Sequence, residues 1–467
     1  MIILGTNSIK DTGFDVANSL RFNAGSNDSL TRTFGTPTNN KKWTYSFWMK
    51  HCDNGGVLLN TGSDTSYMYF RGSSANPVPF GFSIEQYVSS FQYKLIPNEV
   101  FRDHSAWSNI VIAFDTTQST ASNRVKIYKN GSQITSFNSE DYPSQNLDTQ
   151  VNSAVAHKIG GHGSSGFYDG YLAETVFIDG LQLGADSFGE FDEDSGIWKP
   201  IDVSGLTFGN NGFYLDFEDS SALGNDAAGS NNFTVNNLTA IDQSTDTCTN
   251  NFATWNNLIK TTATFSEGNL KYAQPGSNPV FGSLSTIGVT SGKWYAELNY
   301  TSGSSHKLVL GVADETFQNG NTTASYDLGK SGTTSSIAYV VNTGDYRVNN
   351  SNTSWGSGGG DGDIINMAID RDNNKIYFGV NGTWGNSSNP ASNSGGIPTT
   401  ALDSSTNWFW GITADTSGTS DVGELNFGSP SYSESGGETD GNGYGNFAHE
   451  PPSGYFCLNS KNLAEYG

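Results

Sequence analysis

Residues 363–382 read DIINMAIDRDNNKIYFGVNG. An apolar segment ends at Asp370, a short polar stretch follows, and a second β-branched and aromatic segment runs from Lys375 into Asn381-Gly382. Asn-Gly after an alternating run is the strongest short signal for a two-residue hairpin, because both turn residues must take positive φ. The same grammar occurs earlier, where NIVIAFD (Asn109 to Asp115) leads to RVKIYKNG ending at Gly131. Two copies in different halves of the chain predict two antiparallel β-sandwiches of related architecture rather than one large sheet.

Outward from these hairpins, period-two alternation recurs in SLRFN (Ser19 to Asn23), WTYSFWMK (Trp43 to Lys50) and YLAETVFIDG (Tyr171 to Gly180). In the second half it recurs in GKWYAELNY (Gly292 to Tyr300), KLVLGVAD (Lys307 to Asp314), SIAYVVN (Ser336 to Asn342) and WFWGITAD (Trp408 to Asp415). These read as half-buried strands punctuated by Asn, Gly, Ser and Thr turns, and no long amphipathic helix interrupts them. The fold class expected is therefore all-β, two antiparallel jelly-roll-like sandwiches joined by an ordered, irregular bridge.

Composition agrees with that class and narrows the partners. The 467 residues include 56 Gly and only 4 Met, and are 13% aromatic. With 46 acidic against 23 basic residues the formal charge is -23, and the basic pair of note is Lys41 and Lys42. Phosphate neutralisation needs clustered cations, so no nucleic-acid partner is expected. Cys52, Cys248 and Cys457 are odd in number and far apart, which gives neither a disulfide framework nor a zinc pattern. The start, MIILGTNSIK, lacks the basic leader and long apolar run of a secretory signal, and no later run reaches membrane-spanning length. Synthesis in a cytoplasm without membrane insertion is the expectation.

The domains expected are an N-terminal arm over 1–17, a first sandwich over 18–183, a bridge over 184–260, a second sandwich over 261–430 and a tail over 431–467. The bridge is rich in Asn, Asp and Ser but carries Phe213, Tyr214, Phe217, Phe233, Phe252 and Trp255, too many aromatics for a disordered linker. The tail reads as loop with a late apolar anchor around Tyr455 to Leu458.

WTYSFWMK, WSNIVIAFD (Trp107 to Asp115), RVKIYKNGSQI and GFYDGYLAETVFIDGLQL together resemble the laminin-G-like or concanavalin A-like lectin sandwiches. GVTSGKWYAELNY, GDIINMAIDRDNNKIYFGVNGTW and GELNFGSP resemble a SPRY domain. The joining stretch, SFGEFDEDSGIWKPI through GFYLDFEDSSALGNDAAGSNNFTVNNL to TNNFATWN, is similar to segments of structural proteins of marine tailed bacteriophages. That resemblance implies a non-enzymatic virion structural protein, a tail fibre or tail-associated receptor-binding protein. It would contact a host-surface glycan or protein, be made in the host cytoplasm, sit among other virion proteins and assemble as a homo-oligomer, a trimer first. A capsid decoration or head-fibre protein is the alternative, and a polysaccharide depolymerase the second.

The depolymerase alternative rests on SFGEFDEDSGIWKPI (Ser187 to Ile201), where Glu190, Asp192 and Asp194 stand two apart and would share one face of a strand. Such a strand would bury Glu193 with no obvious partner. A capping box fits better, with Ser187 as the N-cap and Glu190 reaching back to it, and with Phe188 and Phe191 on one side of a short helical turn. No catalytic residue is then expected, and Ser187→Ala should cost about 1 kcal/mol. Asp192 to Gly196 offers hard oxygens to calcium but lacks the EF-hand register, so the expectation is no metal ligand set and no cofactor, with calcium the one ion the loops could take. His157 and His162 read as exposed loop residues. Ligand contact is expected from Tyr346 and Trp355, which border the glycine-rich loop GSGGGDG (Gly356 to Gly362), a region that helps form the binding surface of SPRY domains.

Overall fold

A computed structural model describes residues 11–53, 55–62, 66–71, 78, 81–259, 263–274, 281–303, 307–318, 328–330, 335–414 and 420–467. The first ten residues of the expected arm lie outside them. The architecture is all-β, and the chain divides into two compact units, with the described residues of the first at 11–250 and of the second at 251–467.

The first unit is a two-sheet sandwich. One sheet runs Ser132–Gln133, Val125–Lys129, Ser108–Asp115, Lys42–His51, Gly170–Asp179, Ser19–Phe22 and Gln243–Ser244, with Phe213–Leu215 also pairing Gly170–Asp179. The other runs Phe137–Asp141, Ser90–Pro97, Gly81–Val88, Ser66–Arg71, Gly56–Thr61, Ala156–Ile159, Ser29–Thr33 and Thr234–Asn236. Trp43, Tyr45, Phe47 and Met49 alternate into the shared core, where they meet Phe114, Ile112 and Phe177. The predicted hairpin forms: Lys129 pairs Ser132 across Asn130 (φ 47) and Gly131 (φ 77).

The strands are not half-buried, as their alternation suggested. Lys42–His51 is buried at every position after the first, because its second face, through Trp48, packs with Ala185, Phe188, Trp198 and Val203 of the expected bridge. The segment 184–250 thus covers the outside of one sheet and lends three short strands to the sandwich. Trp198 is its anchor; its indole donates to Asn109 Oδ1 at 3.2 Å, and a Cβ on Gly131 or Gly189 would collide with its ring.

Covering that face buries acidic groups, Glu174 among them. Glu174 is 5% exposed at a bulge between Ala173 and Val176 and holds φ 46, and the Tyr214 hydroxyl donates to its Oε2 at 2.7 Å. Burial raises its carboxyl to about 8, against the pull of the Tyr214 bond and with help from Asp216, Glu218 and Asp202. Above the ordinary Glu value the unfolded chain loses this proton while the folded chain keeps it, so the group's stabilisation is full below that value and falls as pH rises towards 8. Glu174→Gln should therefore raise stability at pH 8 by roughly 2 kcal/mol, change it little at pH 4, and flatten the denaturation profile between.

The second unit is also a sandwich. Its larger sheet runs Thr264–Ser266, Lys271–Ala273, Asp421–Asn426, Lys293–Gly303, Ile364–Asp370, Lys375–Val380 and Thr383–Trp384, and its smaller one Phe281–Leu284, Trp408–Ala414, Leu308–Asp314, Ser336–Val340, Asp345–Val348 and Ser351–Ser354. The opening stretch forms the hairpin towards one end of the larger sheet: Ile365 to Asp370 pair Val380 to Lys375, and Val380 pairs Thr383 across Asn381 (φ 48) and Gly382 (φ 77). Trp294, Leu298, Met367, Phe378, Trp408 and Trp410 fill the core.

The tail is part of this unit. Phe456–Cys457 adds in parallel to Lys293–Gly303, and helix Ser460–Tyr466 follows, its first turn capped by the Asn459 side chain accepting from Asn462 N. Phe447, Tyr455 and Cys457 pack on Tyr295, Ala368 and Tyr377, on the side of the large sheet away from the core.

Candidate functional site

The acidic stretch is a hairpin joint, not a capped turn. A single 3-10 turn spans Ala185–Ser187 with Gly184 in the cap position and no side-chain cap, so Ser187 ends the turn rather than starting it. Glu190 lies in strand Gly189–Phe191, opposite Lys199 in strand Trp198–Pro200. The local S-x-x-E pattern loses to a pairing eleven residues wide, because Gly189 lets the Trp198 ring lie against its backbone. Phe188 is 2% exposed and Phe191 51%, so the two do not share a face. Ser187→Ala should therefore shift a denaturant midpoint by the equivalent of less than about 0.5 kcal/mol.

Lys199 Nζ stands 3.4 Å from Glu190 and 3.5 Å from Asp192, which organises two of the three acids around one cation. The backbone amide and hydroxyl of Ser195 hold the Asp192 carboxyl below the usual range, with Lys199 adding to them. No group of three or more His, Cys, Asp or Glu side chains is placed to hold a metal ion among the described residues. The three cysteines are free thiols.

The histidines separate. His157 is 1% exposed and stacked on Phe34 at 3.7 Å, and burial pushes its imidazole down to about 4; it is a core residue, not a loop one. His162 stays half-exposed beside Tyr67.

Around the glycine-rich loop of the second sandwich the structure forms a cleft of about 440 Å³. One wall is the backbone of Gly356, Ser357 and Gly358. The other is strand Lys375–Val380 and the turn after it, bringing Asn381, Thr383, Trp384 and Asn386 to the rim, with Asp363 at one end. Tyr339 and Phe378 stack at the base, 5.0 Å apart and 11° from parallel, and the Tyr339 hydroxyl donates to Ser357 O at 2.9 Å, tying the loop down. Asp363 Oδ1 accepts from Asn381 Nδ2 at 2.7 Å and Oδ2 from Gly360 N at 2.8 Å, so the loop and the Asn-Gly turn share one brace.

Neither residue expected to touch a ligand lines this cleft. Trp355 is 5% exposed, donates its indole N–H to Phe378 O at 2.9 Å and belongs to the core. Tyr346 packs edge-on against it at 6.0 Å. Their role is beneath the wall: a Cβ on Gly385 would collide with the Trp355 indole, so the turn after Trp384 closes directly over it. Trp384 borders the cleft through its place on the turn, but it pairs Gly379 and so shares the Tyr377 face of the sheet, where its half-buried ring is edge-on to Tyr295 and Tyr377.

Chemically the cleft offers side-chain amides, a hydroxyl, a carboxylate and exposed glycine backbone. That set can form hydrogen bonds with a polyhydroxylated or amide-bearing ligand.

Neither a protein-family model nor a curated protein matches the chain. Among solved structures, the SPRY domain of human HERC1 is similar at 15% identity, covering 37% of this chain and 96% of that one with a TM-score of 0.29. A candidate carbohydrate-binding protein from Bacteroides ovatus is similar at 14% identity, covering 48% of this chain and 59% of that one, TM-score 0.36. A heptameric pentraxin from Limulus polyphemus is similar at 15% identity, covering 36% and 79%, TM-score 0.27.

Proposed function

We propose that this chain is a non-enzymatic structural protein of a tailed-bacteriophage virion, a tail fibre or tail-associated receptor-binding protein that contacts a host-surface glycan or protein. It is made in the host cytoplasm, takes its place among other virion proteins and works as a homo-oligomer, a trimer. The observation that carries the binding role is the cleft of about 440 Å³ in the second sandwich, where the backbone of Gly356, Ser357 and Gly358 faces a polar rim of Asn381, Thr383 and Asn386. The phage assignment rests on the sequence likeness of the joining stretch and on the order of the two sandwiches.

Thr383 and Asn386 are exposed on that rim, and Asn386 holds a φ of 53 that glycine also accepts. Thr383→Ala together with Asn386→Gly should weaken binding to host-derived glycan or outer-surface protein by roughly tenfold, about 1.4 kcal/mol, with an unchanged melting profile. A glycan and surface-protein array probed with both proteins checks it. Retained binding would move the site elsewhere, and sugar released from the array by the unmodified chain would make it an enzyme.

A further inference from the structure

Strand Ser66–Arg71 of the first sandwich sends Met68 and Phe70 into the core and leaves Tyr67 and Tyr69 half-exposed on the other face of the sheet. In register, Tyr67 stands opposite Glu85 and Tyr69 opposite Ser83. The two rings meet nearly at right angles, 81°, with centroids 6.4 Å apart. His162 forms a third side, its ring 4.9 Å from that of Tyr67 and its Nε2 3.2 Å from the Tyr67 hydroxyl. A tight turn holds it there, in which His162 and Ser165 exchange both backbone hydrogen bonds. With Val57 these residues border a depression of about 350 Å³.

Glu85 is the acceptor of this depression. The Tyr69 hydroxyl donates to Oε1 at 3.3 Å, the Ser83 hydroxyl to Oε2 at 3.4 Å, and Lys94 Nζ lies 3.9 Å from Oε2. These contacts fix the carboxylate's position at the border of the depression, where its oxygens accept hydrogen bonds.

We propose that this depression binds a single neutral hexopyranose ring of a glycan. The Tyr67 and Tyr69 rings present an apolar surface to the C–H side of a pyranose, as aromatic side chains do in sites where one face of a ligand is apolar and its rim is wet. A carboxylate with two oxygens accepts from neighbouring hydroxyls, and the Tyr67 hydroxyl and His162 Nε2 exchange further hydrogen bonds with the rim. The volume is at the low end for small-ligand sites, which suits one ring rather than a chain. The Glu85 carboxylate, with Lys94 only at 3.9 Å, disfavours a uronic acid or a sulfated sugar beside it. The inference rests on the proposed binding role and adds to it a second site with a stated ligand.

The test is saturation-transfer NMR on the full chain with methyl glucoside, galactoside, mannoside and, as the anionic probe, methyl glucuronoside. At least one neutral glycoside should receive saturation on its ring protons, and the glucuronoside none. Tyr67→Ala should lower affinity for that glycoside at least roughly tenfold. Glu85→Gln should lower it about fivefold and let the glucuronoside bind, while Tyr67→Phe, which keeps the ring, should retain most binding and certify the fold. Saturation that survives both Tyr67→Ala and Glu85→Gln, a preference for the glucuronoside, or no saturation of any glycoside would overturn the proposal. If the array of host surfaces stays positive in those cases, only this site falls; if it is blank as well, the binding role falls with it.

Discussion

Asp246→Ala should destabilise the first sandwich by about 3–5 kcal/mol, the cost of leaving a buried charge without its partner. Lys50 and Asp246 side chains are 0% and 1% exposed, and Lys50 Nζ lies 2.7 Å from Oδ2. The second oxygen accepts the Trp107 indole N–H at 3.0 Å, and the Asp246 carbonyl accepts from the Ser19 hydroxyl at 2.6 Å. Asp246 comes from the end of the unit and Lys50 from its second-longest run of buried strand, so this pair ties residues 196 apart. Replacing both, as Lys50→Met with Asp246→Leu, should recover most of the loss, because an apolar pair of similar volume has no desolvation to offset. Guanidinium unfolding followed by hydrogen exchange on residues 108–115 and 170–179 reads it; a loss under 1 kcal/mol in the single variant would show that water reaches the pair.

Glu297→Ala should cost the second sandwich a similar amount, about 3–5 kcal/mol, and free its C-terminal strap. The carboxylate is 0% exposed and accepts from the Tyr295 hydroxyl at 2.7 Å and from the backbone amides of Ala448 at 2.9 Å and His449 at 3.0 Å. The His449 ring stands 3.6 Å away, and its hydrogen bond to Glu297 raises its pKa. Without the carboxylate, two amides and a phenol lose their acceptor, and the packing of Phe447 and Tyr455 on Tyr295, Ala368 and Tyr377 is left to hold the strap alone. Limited proteolysis between residues 431 and 456 should accelerate well before global unfolding. Because the imidazolium form is the one Glu297 favours, that bond's contribution is full below the ordinary His pKa and is lost as pH rises through the folded value. Equal cleavage rates in both proteins at matched stability would show that the apolar contacts alone hold the strap.

The hairpins of both sandwiches were legible because their information is local. Asn130-Gly131 and Asn381-Gly382 each need two positive φ values, and the flanking alternation sets the register. What covers a strand's second face is not local. Trp48 meets Phe188 and Trp198 across about 140 residues, so Lys42–His51 read as half-buried and is buried throughout. Strands Phe213–Leu215, Thr234–Asn236 and Gln243–Ser244 are too short to show a period, and the segment read as irregular for that reason. At Ser187 a helix-start pattern was present and the hairpin with Trp198–Pro200 won, its anchor being the docking of Trp198 on the sandwich. At the glycine-rich loop the burial of Trp355 was not legible, since it depends on Gly385 of another strand's turn closing over the indole. Tyr67 and Tyr69 carried a readable two-residue spacing, but their usefulness depends on Glu85 and His162 arriving from elsewhere in the chain.

Electron microscopy of intact particles labelled with antibodies against this chain tests the proposed virion role most directly. The account predicts gold on the outside of the particle, at the tail or its fibres, and loss of host adsorption when the antibodies are bound. Absence of this chain from purified particles, or a location reached only after the particles are broken open, would contradict it.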